Sequence, residues 1–363
     1  MAQTISYDIS VVKAAVRRYA PDVARLQPKR WLEALRVIPR IDKQQWQELD
    51  PIARWLVATR AAVLIMTLIS ATIAGLLAAR EGEFEWLSWT LVAVGLVFAH
   101  ATNNLVNDLT DHIKGVDQGN YFRAQYGPQP LEHGLLSRAA MVRLIVMTGA
   151  VALVAGAALV WLRGGATLVL MASGVFFVLF YTWPLKYIGL GELAVIVVWG
   201  PLMVGGGYYV ITGGIDATVV LAGLPFSIGA TTVIFGKHID KLPQDRDKGI
   251  RTLPVLLGDR IARASVIAML VLQYAIVAQL VITGRLGPAL LLVVLAAPAL
   301  RRTIRCYRSP RPAEPPAALP KNVWPLWFVA FAFDHNRRFG VLYVLGLAID
   351  VLLHRLAATS LAA

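Results

Sequence analysis

Apolar runs about 20 residues long, the length that crosses roughly 30 Å of hydrocarbon as a helix, recur from residue 55 almost to the C-terminus. Nine can be read, at about 55–79, 86–107, 139–162, 167–185, 192–212, 217–237, 262–283, 286–304 and 338–356. Composition agrees, since only 16% of the residues are charged, whereas a soluble domain carries about a quarter. The expectation is an all-α membrane protein. A tenth apolar stretch, Trp324 to Phe333, is too short to span, and either re-enters the membrane or extends the last helix. Residues 1–54 carry many charges and no long apolar run, so they read as a cytoplasmic, partly helical arm rather than a signal peptide or anchor. Residues 55–356 then form the membrane domain, and 357–363 a short tail.

Net charge is +13, and its placement carries more information than its size. With the N-terminus inside, all but four of the 35 Lys and Arg fall in the arm, the cytoplasmic loops and the adjoining helix ends; Arg80, Arg163, Arg285 and Arg355 fall outside. That bias orients the chain by the positive-inside rule. It also favours anionic headgroups as the partner of the basic loops and argues against nucleic acid. A single cysteine, Cys306, excludes an internal disulfide and offers no thiolate cluster.

The outer connections between runs are short, so the chemistry is expected in three longer cytoplasmic ones, 108–138, 238–261 and 305–337. The first two follow the second and sixth runs, a spacing that suggests two related halves around one cavity, although no clear sequence repeat is visible. The stretch Arg308 to Pro320, rich in Pro and Ala, reads as a linker.

At the end of the second run stands Asn104-Leu-Val-Asn107-Asp108-Leu-Thr-Asp111-His-Ile-Lys114-Gly115-Val-Asp117. On a continuing helix Asn104, Asp108 and Asp111 lie at i, i+4 and i+7 and share one face. Neighbouring carboxylates at the mouth of an apolar helix need a compensating cation, and Asp and Asn oxygens suit Mg2+ bridged to a phosphate. A solvated helix end is the plainer alternative. The second cluster, His238-Ile-Asp240-Lys241-Leu-Pro243-Gln-Asp245-Arg246-Asp247-Lys248-Gly249-Ile-Arg251-Thr252, alternates acids and bases just after the sixth run. Carboxylate-bound Mg2+ with Lys and Arg is how a diphosphate is held as a leaving group.

The first cluster resembles the first aspartate-rich motif of the UbiA prenyltransferases, and Asp245 to Leu253 resembles the second. Lys114-Gly-Val-Asp117 with Gly127 to Gly134 most resembles the 1,4-dihydroxy-2-naphthoate polyprenyltransferases of menaquinone synthesis, and Tyr181 to Glu192 resembles the segment joining the fourth and fifth helices. The resemblance covers about 55–356. It implies a bundle of about nine helices around a cavity open to the cytoplasm, in the cell (inner) membrane. It implies catalytic roles for Asp108, Asp111, Asp240 and Asp245, with one Mg2+ on Asn104, Asp108 and Asp111 and a second on Asp240 and Asp245. Arg60, Lys114, Lys241, Arg246 and Arg251 would meet the diphosphate, and Tyr181 would shield an allylic carbocation. The substrates implied are a polyprenyl diphosphate and an aromatic acceptor, with 4-hydroxybenzoate, homogentisate, a haem or a lipid alcohol as alternatives to the naphthoate. The second motif departs from the family pattern. Asp240 and Asp245 are five residues apart and would not share a helical face unless Pro243 breaks the helix, and Gly236 and Lys237 stand where many relatives carry Asn. A polytopic transporter is the alternative from another class, but transporters tend to bind at the bilayer midplane, and these clusters lie at helix ends.

Overall fold

The computed structural model describes residues 26–119, 127–316 and 324–362. The first 25 residues of the expected arm, residues 120–126 of the first long loop, 317–323 of the third and the final residue lie outside the described residues. Three short helices, α1 (Pro28–Arg36), α2 (Lys43–Glu48) and α3 (Pro51–Ala58), precede the bundle. The bundle itself comprises α4 (Ile65–Arg80), α5 (Trp86–Ile113), α6 (Arg138–Arg163), α7 (Ala166–Phe180), α8 (Gly191–Val197) and α9 (Gly207–Thr212). It continues with α10 (Ala217–Asp240), α11 (Leu242–Asp247), α12 (Leu253–Leu257), α13 (Asp259–Ile282), α14 (Ala297–Arg308) and α15 (Phe328–Ala362). Among the described residues, seven helical stretches are long and apolar enough to cross a membrane. The fourth and eighth runs of the sequence take shorter forms: the 15-residue α7, and a 3-10 segment Pro288–Ala296 leading into α14.

The differences from the simple hydropathy reading have local causes. The first run does not form one helix from residue 55, because Arg60 adopts a left-handed backbone, φ 56°, between α3 and a 3-10 turn, Ala61–Val63. In the fifth, Pro201 lacks the N–H that an α-helix needs, and Val198–Gly206 widens into a π-helical segment joining α8 to α9. The short apolar stretch near residue 328 joins the last run as the start of α15.

The core lies where α4, α10 and α15 meet, with Ile73, Phe226, Phe339, Tyr343 and Leu347 fully buried. Between helices, Tyr343 Oη donates to Ala222 O at 2.8 Å and Gln273 Nε2 to Pro225 O at 2.7 Å, so these two buried side chains tie neighbouring helices through backbone carbonyls. By contrast α6 and α7 turn Met147, Val154, Trp161 and Val169 outward. Large apolar side chains on the outside are what a lipid-facing surface requires.

Candidate active site

Both acidic clusters end their helices in the same way. After Asp111, Gly115 takes φ +67° and the Val116 N–H returns to Asp111 O at 2.9 Å. After Asp245, Gly249 takes φ +70° and the Ile250 N–H returns to Asp245 O at 2.8 Å. A glycine in the left-handed region is what such a helix terminus calls for. Laid side by side, Asp111-His-Ile-Lys-Gly-Val and Asp245-Arg-Asp-Lys-Gly-Ile share Asp, Lys and Gly at matching positions. This short correspondence is the repeat that the sequence alone did not reveal, and it pairs Asp245, not Asp240, with Asp111.

The two ends also touch. Lys248 Nζ donates to Val116 O and Gln118 O, each at 2.6 Å, and the Arg251 N–H donates to Tyr187 O at 3.2 Å. Tyr187 in turn donates from its hydroxyl to Asp111 at 3.4 Å. Burial and the Asp111 charge push the Tyr187 phenol above its ordinary range, so it stays a donor.

Each of three buried carboxylates faces a cation. Arg60 Nη2 lies 3.1 Å from Asp108, Lys186 Nζ contacts both Asp111 oxygens at 2.7 and 2.8 Å, and Lys241 Nζ lies 2.8 Å from Asp245. The left-handed turn at residue 60 aims the guanidinium, which also donates to Asn104 O at 2.9 Å, while Asn104 Nδ2 donates to Thr59 O at 2.8 Å. A strained non-glycine backbone of this kind persists only where its surroundings hold it. Lys186 is placed by the turn after α7, where the 3-10 segment Leu185–Ile188 folds back so that the Lys186 N–H meets Tyr181 O at 2.9 Å. Asn107 donates to Thr182 Oγ1 at 3.0 Å and ties α5 to the same turn.

Two cavities reach this region. One, of about 610 Å³, runs between α5, α6, α7 and the α8–α9 stretch past Met171, Phe177 and Met203 to Asn103, Asn107, Tyr181 and Lys186. The other, of about 1200 Å³, lies between α4, α10, α15 and the arm. Arg60, His100, Asn104, Trp199 and Lys237 line both. Arg60 thus lines both cavities and Lys186 the smaller one, and their partner carboxylates Asp108 and Asp111 stand buried behind them.

The remaining expected residues are distributed unevenly. Asp240 accepts from the backbone N–H groups of Trp327, Phe328 and Val329 at 3.2, 2.9 and 3.0 Å and so caps the N-terminus of α15. The chain does break at Lys241, between α10 and α11, yet the Asp240 and Asp245 carboxylates take different partners. Lys114 is exposed and lies over the Trp183 ring at 4.8 Å, while the Arg246 and Arg251 side chains are exposed. Tyr181 lines the smaller cavity; burial, then the Glu192 and Asp111 charges, push its phenol above the ordinary range, so it remains neutral. Sequence reasoning missed Lys186, although its place in the Tyr181 to Glu192 segment was the available signal. It also missed that Glu192 pairs with His238 and joins α8 to α10, and that Arg311, within the supposed linker, donates to Asp240 O at 3.0 Å.

Gly236 has a packing reason for departing from Asn. A Cβ there would lie 2.5 Å from Tyr307 Oη, 2.8 Å from Val329 N and 2.9 Å from Phe328 C. Because two of these three are backbone atoms of α15, a side chain would have to move the helix start that Asp240 caps. Gly236→Asn is therefore expected to lower the yield of folded, detergent-stable protein severely, with Gly236→Ala intermediate, as read by size-exclusion profile and thermal unfolding. A melting temperature unchanged by either substitution would show that this packing is loose.

Among the described residues no three His, Cys, Asp or Glu side chains are gathered into a ready metal cluster. The donor set nevertheless suits a hard divalent cation, because all three carboxylates supply oxygen. Asp245 Oδ2 is buried without a hydrogen-bond partner, an acceptor that a cation would satisfy.

A lipid-exposed helical bundle whose apolar cavities converge on paired carboxylates and cations is suited, as a class, to an intramembrane enzyme acting on molecules with a long apolar part and a small anionic one. Residues 68–331 match the UbiA prenyltransferase family, and the chain belongs to that family. It is a prenyltransferase and a multi-pass membrane protein, which sets the transporter alternative aside. The chain is 26% identical over 227 residues to the 1,4-dihydroxy-2-naphthoate octaprenyltransferase of Escherichia coli (strain K12), covering 60% of this chain and 72% of the relative. Its fold is similar to the apo structure of a UbiA homologue from Aeropyrum pernix K1, with a TM-score of 0.60, 19% identity, and coverage of 80% of this chain and 98% of that one. It is also similar to a UbiA homologue from Archaeoglobus fulgidus bound to GPP and Mg2+, with a TM-score of 0.52, 16% identity, and coverage of 80% and 99%.

Proposed function

We propose that the protein transfers a polyprenyl group from its diphosphate to 1,4-dihydroxy-2-naphthoate, with Mg2+, at the cytoplasmic face of the cell membrane. The observation that carries this reading is the pair of cavities meeting on Arg60, His100, Asn104, Trp199 and Lys237. Two chambers with one polar junction suit two substrates brought together at one reacting carbon. The name of the Escherichia coli relative supports the acceptor, and the GPP and Mg2+ of the Archaeoglobus homologue support the donor and the metal.

In this reading Asn104, Asp108, Asp111 and Asp245 would hold Mg2+, which when bound supplies positive charge to the diphosphate leaving group. Arg60, Lys186 and Lys241 then turn from carboxylate to phosphate oxygens. The bond between the first prenyl carbon and oxygen breaks with its electron pair going to the diphosphate. Tyr181, neutral and beside the smaller cavity, offers the negative face of its ring to the allylic cation. The electron-rich ring carbon that bears the acceptor carboxylate attacks, a new C–C bond forms, and the carboxylate leaves as CO₂, returning its electron pair to the ring.

Purified protein in proteoliposomes, given a polyprenyl diphosphate and a panel of acceptors, should prenylate the naphthoate at least about tenfold faster than 4-hydroxybenzoate, a margin within reach of pocket contacts. CO₂ should appear in step with diphosphate. Product from only a benzoate, a haem or an alcohol would remove the naphthoate assignment.

A further inference from the structure

We propose that α1 is seated in the headgroup region of the membrane that holds the bundle, with one apolar edge in the acyl layer and its basic edge on anionic lipid. This rests on the bundle being in a membrane and not on the choice of acceptor. Its sequence, Pro28-Lys-Arg-Trp-Leu-Glu-Ala-Leu-Arg36, puts Trp31, Ala34, Leu35 and Leu32 on one continuous arc at 100° per residue and Lys29, Arg30, Glu33 and Arg36 on the other. Only half of the apolar arc is used inside the protein. Ala34 is 2% exposed and the Trp31 indole donates to Asp50 at 2.9 Å, whereas Leu32 is 55% and Leu35 48% exposed, and Val37 just beyond is 52% exposed.

The height and the tether of the helix fit a membrane surface. α1 packs on α3 and on the turn Ala61–Val63, where the first crossing stretch begins, so it lies at the level at which that stretch leaves the membrane. Its tether is firm: Asp50, buried, accepts from Gln27 N at 2.7 Å and Ala53 N at 2.8 Å as well as from Trp31. Burial raises the Asp50 carboxyl, and these donors outweigh it, leaving the group ionised below the usual carboxylate range. Charge selects the occupant. Lys29, Arg30, Arg36 and the nearby Arg40 stand against Glu33 alone in this segment, and basic side chains flanking leucines are the pattern of an interfacial helix on anionic lipid. Lys29, Arg30, Glu33 and Arg36 of α1, with residues 37–41, also line the larger cavity, whereas Leu32 and Leu35 do not, so the basic edge stands where that chamber meets the headgroup layer and the leucines face away from it.

Nitroxide labels on Leu32→Cys, Leu35→Cys, Lys29→Cys and Glu33→Cys test this in vesicles containing phosphatidylglycerol. The native Cys306 is buried, and unsubstituted protein serves as the labelling control. Labels at 32 and 35 should collide several-fold more with oxygen than with a water-soluble nickel chelate, and those at 29 and 33 the reverse. Water-accessible labels at 32 and 35 would overturn the proposal. So would labels there shielded from both reagents, the sign that residues 1–25 or a second copy covers this face. Moving to phosphatidylcholine alone, or introducing Lys29→Glu with Arg36→Glu, should make the position-35 label shallower; an unchanged depth in both cases removes the anionic-lipid part.

Discussion

Asp111→Asn should lower prenyl transfer by at least about 100-fold, the scale on which removal of one preorganised charge acts on a developing leaving group. The geometry makes a second expectation inseparable from the first. Lys186 Nζ touches both Asp111 oxygens and is 4% exposed, and an ammonium left without its carboxylate in so dry a place costs about 3 kcal/mol. Loss of activity in the single variant could therefore reflect loss of fold. Asp111→Asn with Lys186→Met separates the two, because it removes the stranded charge and should recover most of the thermal stability but none of the turnover. Asp108→Asn, facing Arg60, should behave like Asp111→Asn in activity. Wild-type turnover should also fall to background with EDTA and return with Mg2+. Near-normal turnover in either single variant would mean that the first cluster neither holds a metal nor stabilises the diphosphate.

Asp245→Ala should abolish transfer to a similar degree, while Asp240→Ala should act mainly on stability. The Asp240 carboxylate accepts three backbone N–H groups at the start of α15, and loss of such a cap costs about 1 to 2 kcal/mol. Asp245 instead has one oxygen on Lys241 and one buried without a hydrogen-bond partner, and it occupies the position that matches Asp111. Kinetics at a temperature where both variants are folded separate the effects: Asp240→Ala should retain turnover within a few-fold of wild type, Asp245→Ala should not. The opposite order would place the second motif's metal ligand on Asp240 and leave α15 capped by other means.

Much of this was legible in the linear chain because its causes are local. A run of about 20 apolar residues favours a membrane helix through its own composition, so α6 and α10 fall within a few residues of their expected limits and α5 starts where expected and runs six residues further. Asn104, Asp108 and Asp111 sit on one helix, where spacing alone decides a shared face. The family resemblance was legible for the same reason, being carried by contiguous segments, and the match over 68–331 bears it out. Interruptions of helix were harder to read. Arg60 carries no glycine or proline signal, and its left-handed turn is held by Asn104 and Asp108, more than 40 residues away in the chain.

What each charge does was a tertiary decision, because ion pairing depends on which helices meet and not on which residues are neighbours. Lys186 reached Asp111 across 75 residues through a turn that hydropathy cannot see. The family resemblance implied Asp240 as half of a metal pair with Asp245, but the break at Lys241 and the start of α15 against α10 engage its carboxylate as a cap. Gly236, read as a departure from a motif, follows from α15 lying too close to α10 for any side chain. Sequence by itself determined the helices, the membrane and the chemical types available at one end of the bundle. Tertiary packing decided their partners, since a buried charge settles on whichever opposite group or backbone dipole the fold brings within hydrogen-bond reach.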